Sequence, residues 1–282
     1  MLTKRLLTGL IGAPIAHSAA PAMHEQAARA LGIDLHYQLI ELGGADRAAL
    51  RAVLDDVRRR GFAGVNVTYP YKEAVVGLLD ELSPDAAAMA AVNTVVVGDG
   101  RLIGHNTDSS GFARAAAGLV AASGPGAVAV IGAGGVGKAI AFALADLGVA
   151  GLRIFDTDRP KAEHLARLIP HGRAMVVDGV EDAVRGAAGV VNATPVGMLP
   201  SRESPIPDAL LHPALWVADA VYFPLWTPLL IAARAKGARV MTGREFAICQ
   251  AADAFELFTG LAPSAAVMGS AFDEVMAQRR AE

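Results

Sequence analysis

With 282 residues, 53% of them hydrophobic and 19% charged, the chain has apolar material for one large or two medium domains and is excluded from the disordered class. A net charge of -3 leaves no basic footprint for nucleic acid or an anionic membrane surface. The single cysteine, Cys249, excludes an internal disulfide and a thiolate metal cluster, and the scattered histidines indicate no metal site.

At the start, Lys4-Arg5 and the apolar stretch behind them loosely copy a signal peptide. Gly9, Gly12 and Pro14 interrupt that run, so LLTGLIG reads as a first strand entering a loop. Lys138 ends the longest uncharged run, residues 115–137, and the Ser123–Gly126 loop interrupts it, so no continuous apolar stretch of the roughly 20 residues of a bilayer span is left. A cytoplasmic protein is expected. Pro21–Leu31 reads as a helix with an early proline. HYQLIEL is a predicted strand, ADRAALRAVLDDVRRRG a helix ended by Gly61, and FAGVNVTYP a strand stopped by Pro70. AVNTVVVGDGRLIGHNTD reads as a hairpin around Gly98–Gly100. From about Ser110 a helix leads to a loop, Ser123–Gly126.

A second series follows. AVAVIGAGG is a strand, Lys138–Leu147 a helix, GLRIFDTD a strand and RPKAEHLARLI a helix. GVVNATPVGM and LWVADAVY supply further strands, TPLLIAARAKG a helix, and ARVMTG a last strand. REFAICQAADAFELFTG closes as an amphipathic helix ended by Gly260. The alternation predicts an α/β fold with mostly parallel sheets. The second series, roughly 135 residues, is domain-sized.

Val130–Gly148 fits two phosphate-binding patterns. Gly132, Gly134 and Gly137 form GxGxxG, while Gly132, Gly137 and Lys138 form most of a triphosphate loop. The triphosphate loop needs a hydroxyl after GK to hold magnesium, and Ala139 stands there. The dinucleotide fingerprint needs a strand before, a helix after and an acid about 20 residues on, and Asp156 completes that set. A carboxylate there accepts from the adenosine ribose of NAD and repels a 2′-phosphate; Asp158 adds to the repulsion. Arg159 is the one nearby cation that would rescue NADP. NAD is therefore the predicted cofactor, preferred over NADP.

The remaining polar signals gather in loops at strand ends: Gly12–Pro21, Asn66–Lys72, Ala91–Thr94 and Gly104–Asp108. In order, the chain carries GAPIAHSAAP, NVTYPYK, AVNT, GHNTD, GAGG, NATPVGM and a late-helix Gln250. With these motifs it resembles the shikimate/quinate dehydrogenase family over nearly its whole length. FDTD, VYFPLWTPLL and FELFTG resemble the NAD-using branch.

The resemblance implies two α/β domains with a cleft between them. A discontinuous substrate domain would comprise residues 1–108 and 247–282, and a Rossmann NAD-binding domain residues 109–246. It implies reversible hydride transfer between a ring alcohol of shikimate or quinate and nicotinamide, giving the 3-dehydro ketone, as in aromatic amino acid biosynthesis. Lys72 and Asp108 would be the catalytic pair, with Lys72 either the base or an orienting donor. Ser18 would hold the substrate carboxylate. Thr68, Asn93 and Gln250 would bind ring hydroxyls, with Asn93 and Asp108 near the reacting one, and Tyr222 would cover the carboxylate side. The loop of Gly132, Ala133, Gly134, Gly135 and Val136 would hold the cofactor, with Asp156, Thr157 and Arg159. Thr194, Pro195, Val221, Gly243 and Phe246 would lie along it.

Departures are specific. Ala20 stands where the family has a second hydroxyl in HSxSP, which removes one donor worth about 1.5–3 kcal/mol to a charged group. Glu25, Ser109 and Phe246 replace the commoner Asn, Gly and Met. Three readings stay open: an NAD-dependent shikimate or quinate dehydrogenase, the same scaffold acting on a related cyclic hydroxy acid such as an aminoshikimate, and a non-enzymatic NAD-binding sensor. The Lys72–Asp108 pair argues against the sensor, which needs no proton transfer. The expected partner is a small cyclic hydroxy acid, bound by a monomer or homodimer without nucleic acid or membrane.

Overall fold

The computed structural model describes residues 5–44, 46–124 and 126–281, without the side chains of 280 and 281. The signal-peptide motif at Lys4, the first residue of the predicted second helix (Ala45), Pro125 of the predicted loop and the final Glu282 lie outside the described residues. The chain divides into two compact units, Met1–Thr107 with Ile248–Glu282, and Asp108–Ala247.

In the first unit, β1 (Leu6–Gly12), β2 (Leu35–Glu41), β3 (Gly64–Val67), β4 (Glu81–Leu82), β5 (Thr94–Gly98) and β6 (Arg101–His105) form one sheet, ordered β2-β1-β3-β5-β6-β4. β1 runs parallel to β2 and β3, and these strands are joined by α1 (Ala20–Ala30) and α2 (Arg47–Arg59). α2 is capped by Asp46, whose side chain accepts from Ala48 N at 2.8 Å. Its Leu50, Leu54 and Val57 recur at helical spacing and pack on Ile11, Val65, Val67 and Val95. β5 and β6 are antiparallel, as the predicted hairpin requires, in a sheet whose pairings are mostly parallel. The cause is local. Asp99 and Gly100 both sit at positive φ (49° and 73°), the two-residue hairpin turn that no crossover fits. α3 (Pro84–Met89), β4 and the 3₁₀ turn Val76–Leu78 are short elements without a periodic signal.

The chain passes into the second unit inside α4 (Thr107–Ser123), which starts three residues before the predicted Ser110. There β7 (Ala127–Ile131), β8 (Gly151–Phe155), β9 (Ala174–Val176), β10 (Gly189–Asn192), β11 (Trp216–Asp219) and β12 (Arg239–Met241) run parallel in the order β12-β11-β10-β7-β8-β9. α5 (Gly135–Asp146), α6 (Arg159–Leu168), α7 (Val180–Val184) and α8 (Pro228–Ala235) connect them. Ala183 and Val184 of α7 and Leu229 and Leu230 of α8 pack with Ala129, Ile131, Val190 and Val217. Chain order reverses between β7 and β10, the place where open parallel sheets bind ligands.

The return to the first unit lies inside α9 (Gly243–Thr259), and α10 (Ala265–Ala281) follows and packs along α1. No helix among the described residues is long and apolar enough to cross a membrane.

Beneath α9, His24 of α1 is 1% exposed, with the Tyr37, Phe255 and Phe258 rings at 4.6, 5.9 and 6.0 Å. Its Nδ1 has no hydrogen-bond partner, and burial pushes the imidazole down to about 3. Between pH 6.5 and 3 the unfolded chain binds a proton there that the folded chain refuses. Stability is therefore lost as pH falls, by about 1.4 kcal/mol per pH unit for this one group. Urea denaturation of the parent and His24→Leu between pH 7 and 5 is expected to show the steeper loss in the parent. Parallel pH curves would contradict it.

Candidate active site

The register of the first sheet collects the predicted loops at one edge. β1 and β3 end there at Gly12 and Val67; Asn66 lies opposite Thr94 and Thr94 opposite His105, so β5 begins and β6 ends at the same edge. Backbone bonds then lock the loops together. Thr68 N donates to Ile11 O at 2.9 Å, Ala13 N to Tyr69 O at 3.1 Å, and Val92 N to Lys72 O at 2.8 Å. Gly12 is required by this approach, because a Cβ on it would lie 2.3 Å from the Thr68 methyl.

Ser18, Thr68 and Lys72 are half-buried on these loops, and Gln250 is half-buried on α9. Ser18 Oγ accepts from Ala20 N at 3.2 Å, and α1, starting at Ala20, has no other side-chain cap. The hydroxyl missing at position 20 thus leaves a bare helix start beside one serine. Glu25 is explained by the fold: its carboxylate accepts from Tyr37 N at 2.9 Å and meets His36 at 3.1 Å, covering part of the outer edge of β2.

Asn93, 3% exposed, belongs to a buried polar chain. Tyr37 Oη donates to Asn66 Oδ1 at 2.8 Å, Asn66 Nδ2 to Thr94 Oγ1 at 2.9 Å, and Asn93 Oδ1 accepts from Thr94 Oγ1 at 2.9 Å and Thr107 N at 2.7 Å. That last bond caps the start of α4 from outside the helix. It fixes the residue before Asp108, which is 4% exposed in the first turn of α4 and opens the second unit. Such a network, with each member partnered, holds its side chains in one arrangement. Tyr37, Asn66 and Thr107 hold Asn93 and Thr94 within this chain, a part that motif reading did not give them. Their signal was the strand register, which sequence spacing does not supply.

In the second unit the glycine loop leaves β7 at the reversal point. α5 starts at Gly135, three residues ahead of the predicted Lys138, with Gly134 as its N-cap. The positive helix end therefore rises directly from the loop. Gly132 sits at φ 104°, and a Cβ on Gly137 would lie 2.1 Å from Gly132 O. Around Gly134 nothing lies within 4 Å of a would-be Cβ, an open cradle of the kind a pyrophosphate fills. These residues fit a dinucleotide.

At the end of β8, Asp156 Oδ2 accepts from Ala133 N at 2.7 Å and Oδ1 from Asp158 N at 2.8 Å. A carboxylate has further lone pairs for a ribose diol. Thr157 is exposed beside it. Arg159 meets Glu163 at 2.9 Å and also Asp178, and these carboxylates, Asp178 foremost, hold the guanidinium pKa above its ordinary value. Lys161 pairs with Asp158 at 3.3 Å.

Thr194 and Pro195 follow β10, with Thr194 Oγ1 donating to Asn192 Oδ1 at 2.7 Å. Val221 N donates to Asp219 Oδ1 at 2.9 Å, and Tyr222 beside it is half-buried. A Cβ on Gly243 would lie 2.4 Å from Val221 O, so that glycine admits the start of α9. Phe246 is 6% exposed and meets Phe112 edge-on at 5.7 Å. Among the described residues no group of His, Cys, Asp and Glu gathers in a metal-holding cluster.

Residues 10–95 match the family described as shikimate dehydrogenase substrate binding domain. A quinate/shikimate dehydrogenase (NAD(+)) of Corynebacterium efficiens is 47% identical over 277 residues, 95% of this chain and 97% of that protein. Among solved structures, quinate dehydrogenase from Corynebacterium glutamicum in complex with NAD superposes with TM-score 0.89 at 42% identity, covering 96% of this chain and 99% of the other. Shikimate 5-dehydrogenase from Thermus thermophilus, in complex with NADP(H) and shikimate, gives TM-score 0.87 at 39% identity, again over 96% and 99%.

Proposed function

The chain belongs to the shikimate/quinate dehydrogenase family, and from that premise we propose that it is the NAD-preferring form, with Lys72 and Asp108 as its catalytic pair. It is an oxidoreductase acting on a CH–OH group of shikimate or quinate with a nicotinamide dinucleotide. In this reading it works as a cytoplasmic monomer or homodimer, the first unit binding the hydroxy acid and the second the dinucleotide.

The dinucleotide supplies the hydride acceptor. Lys72 Nζ takes the hydroxyl proton as the alcohol is oxidised and returns it in reduction, and Asp108 pairs with the ammonium so formed and holds it at that oxygen. Ser18 donates to the carboxylate, and Tyr222 covers that side. Thr68, Asn93 and Gln250 orient the ring hydroxyls. The pinned Asn93 network supports this role, because a rigid group loses little freedom on binding. Gly132–Val136 cradle the pyrophosphate, and Thr194, Pro195, Val221, Gly243 and Phe246 line the rest.

One observation carries the cofactor preference. In this reading a 2′-phosphate would approach Asp156 at the end of β8, and Arg159 is already engaged by two carboxylates. The exposed ion pairs are individually weak, so the preference rests chiefly on Asp156. Steady-state kinetics with shikimate and quinate should give kcat/KM about tenfold or more in favour of NAD over NADP, roughly 1.4 kcal/mol. Equal values, or a preference for NADP, would reject the reading.

A further inference from the structure

We propose that Asp219 is a positioning residue for the nicotinamide end of the dinucleotide, holding the loops after β10 and β11 in the shape that end requires. This rests on the second unit being the dinucleotide-binding one.

Asp219 ends β11 and is 1% exposed. Its Oδ1 accepts from Asn192 Nδ2 and from Val221 N, both at 2.9 Å, and its Oδ2 from Thr227 Oγ1 at 2.7 Å. Each partner carries the constraint further. Asn192 Oδ1 accepts from Thr194 N and Thr194 Oγ1, and Thr194 Oγ1 accepts from Val196 N at 3.1 Å. Thr227 caps α8 by accepting from Leu230 N at 3.3 Å. One carboxylate therefore ties together two adjacent strand ends, the loop after β10 and a helix start.

All three groups facing it are donors and none is a cation. Burial pushes its carboxyl up to about 6, so at neutral pH it is the ionised acceptor those donors need. A buried charge without a counter-charge is a poor way to stabilise a core, since an apolar side chain of similar size does so without desolvation. Its use here is organisation. The glycine loop follows β7, and Asp156 beyond β8 faces the adenosine side. The other end of a dinucleotide then runs across the reversal point towards β10 and β11, onto the two loops Asp219 holds.

The test compares NADH with ADP-ribose, which lacks the nicotinamide ring, by fluorescence titration and competition on the full chain. Asp219→Ala should weaken NADH by about tenfold or more while ADP-ribose stays within about twofold, with a matching rise in KM for NAD. Asp219→Asn keeps the Oδ1 acceptor and lets its amide donate to Thr227 Oγ1, so it should bring NADH affinity back to within about threefold of the parent. A purely structural role would shift both ligands alike or lower only the active fraction, and either result overturns the proposal, as does unchanged NADH affinity. Should Asp219→Ala not fold, Thr227→Val carries the same comparison, with an NADH-selective loss of about threefold expected and an equal shift of both ligands overturning it. A parent chain that binds neither ligand would instead remove the dinucleotide reading itself.

Discussion

Replacing Lys72 with alanine is expected to lower kcat by about 10²–10⁴-fold, with a smaller effect on the KM of the hydroxy acid. Oxidising an alcohol requires the hydroxyl proton to leave as hydride departs, and Lys72 Nζ is the group assigned to that exchange, taking the proton in oxidation and returning it in reduction. Its backbone is fixed from both sides: the Thr68–Tyr71 turn precedes it, and its carbonyl accepts from Val92 N at 2.8 Å, next to the asparagine assigned to the same hydroxyl. Truncation leaves this scaffold in place, because the half-buried side chain is not among the core residues of the first unit. The loss should therefore fall on turnover. Steady-state kinetics with shikimate or quinate and NAD measures it, and parent-like turnover in Lys72→Ala would remove the catalytic assignment.

A contrast of two glycines gives the second large effect. In Gly137→Ala the new methyl would lie 2.1 Å from Gly132 O and 2.8 Å from Gly132 C, which are backbone atoms of the loop itself. The helix must move off the strand, so NADH affinity should fall by about 100-fold or more and stability by about 1–3 kcal/mol. Gly134→Ala places its methyl in open space, with nothing within 4 Å. It should fold within about 1 kcal/mol of the parent, the difference reflecting a poorer N-cap, and still lose NADH, because the proposed reading gives that space to the pyrophosphate. NADH titration and urea denaturation on both variants check this. Full NADH affinity in Gly134→Ala would mean that the phosphates lie elsewhere.

What the sequence makes legible follows from range. LLTGLIG is a strand in the structure too, over Leu6–Gly12, because a parallel strand buried on both faces needs only a continuous apolar run. The Asp99-Gly100 hairpin is legible because positive φ is a local demand. The start of α4 is not local. Thr107 N is satisfied by the side chain of Asn93, 14 residues away, so the helix begins before any nearby signal. α5 begins inside the glycines, which read as loop until the helix end is seen to serve the loop itself. α10, β9 and α7 have no counterpart in the sequence reading: the first lies beyond the glycine taken as the final stop, and the others are only three and five residues long. At the site, the motif residues are legible as types at spacings. The Tyr37–Asn66–Thr94 chain and the Asp219 hub are not, since both depend on which strands lie side by side.

The route of the chain through α4 and α9 also sets an order of assembly. Asp108–Ala247 is one continuous stretch, whereas the sheet of the first unit waits for Phe255 and Phe258, which lie beside His24 only after that stretch has been made. During synthesis Asp108–Ala247 is free to mature on its own, while the segment before it leaves the ribosome without the Phe255 and Phe258 rings that cover His24. Proteolytic vulnerability and chaperone dependence should therefore concentrate in the segment that precedes Asp108 rather than in Asp108–Ala247.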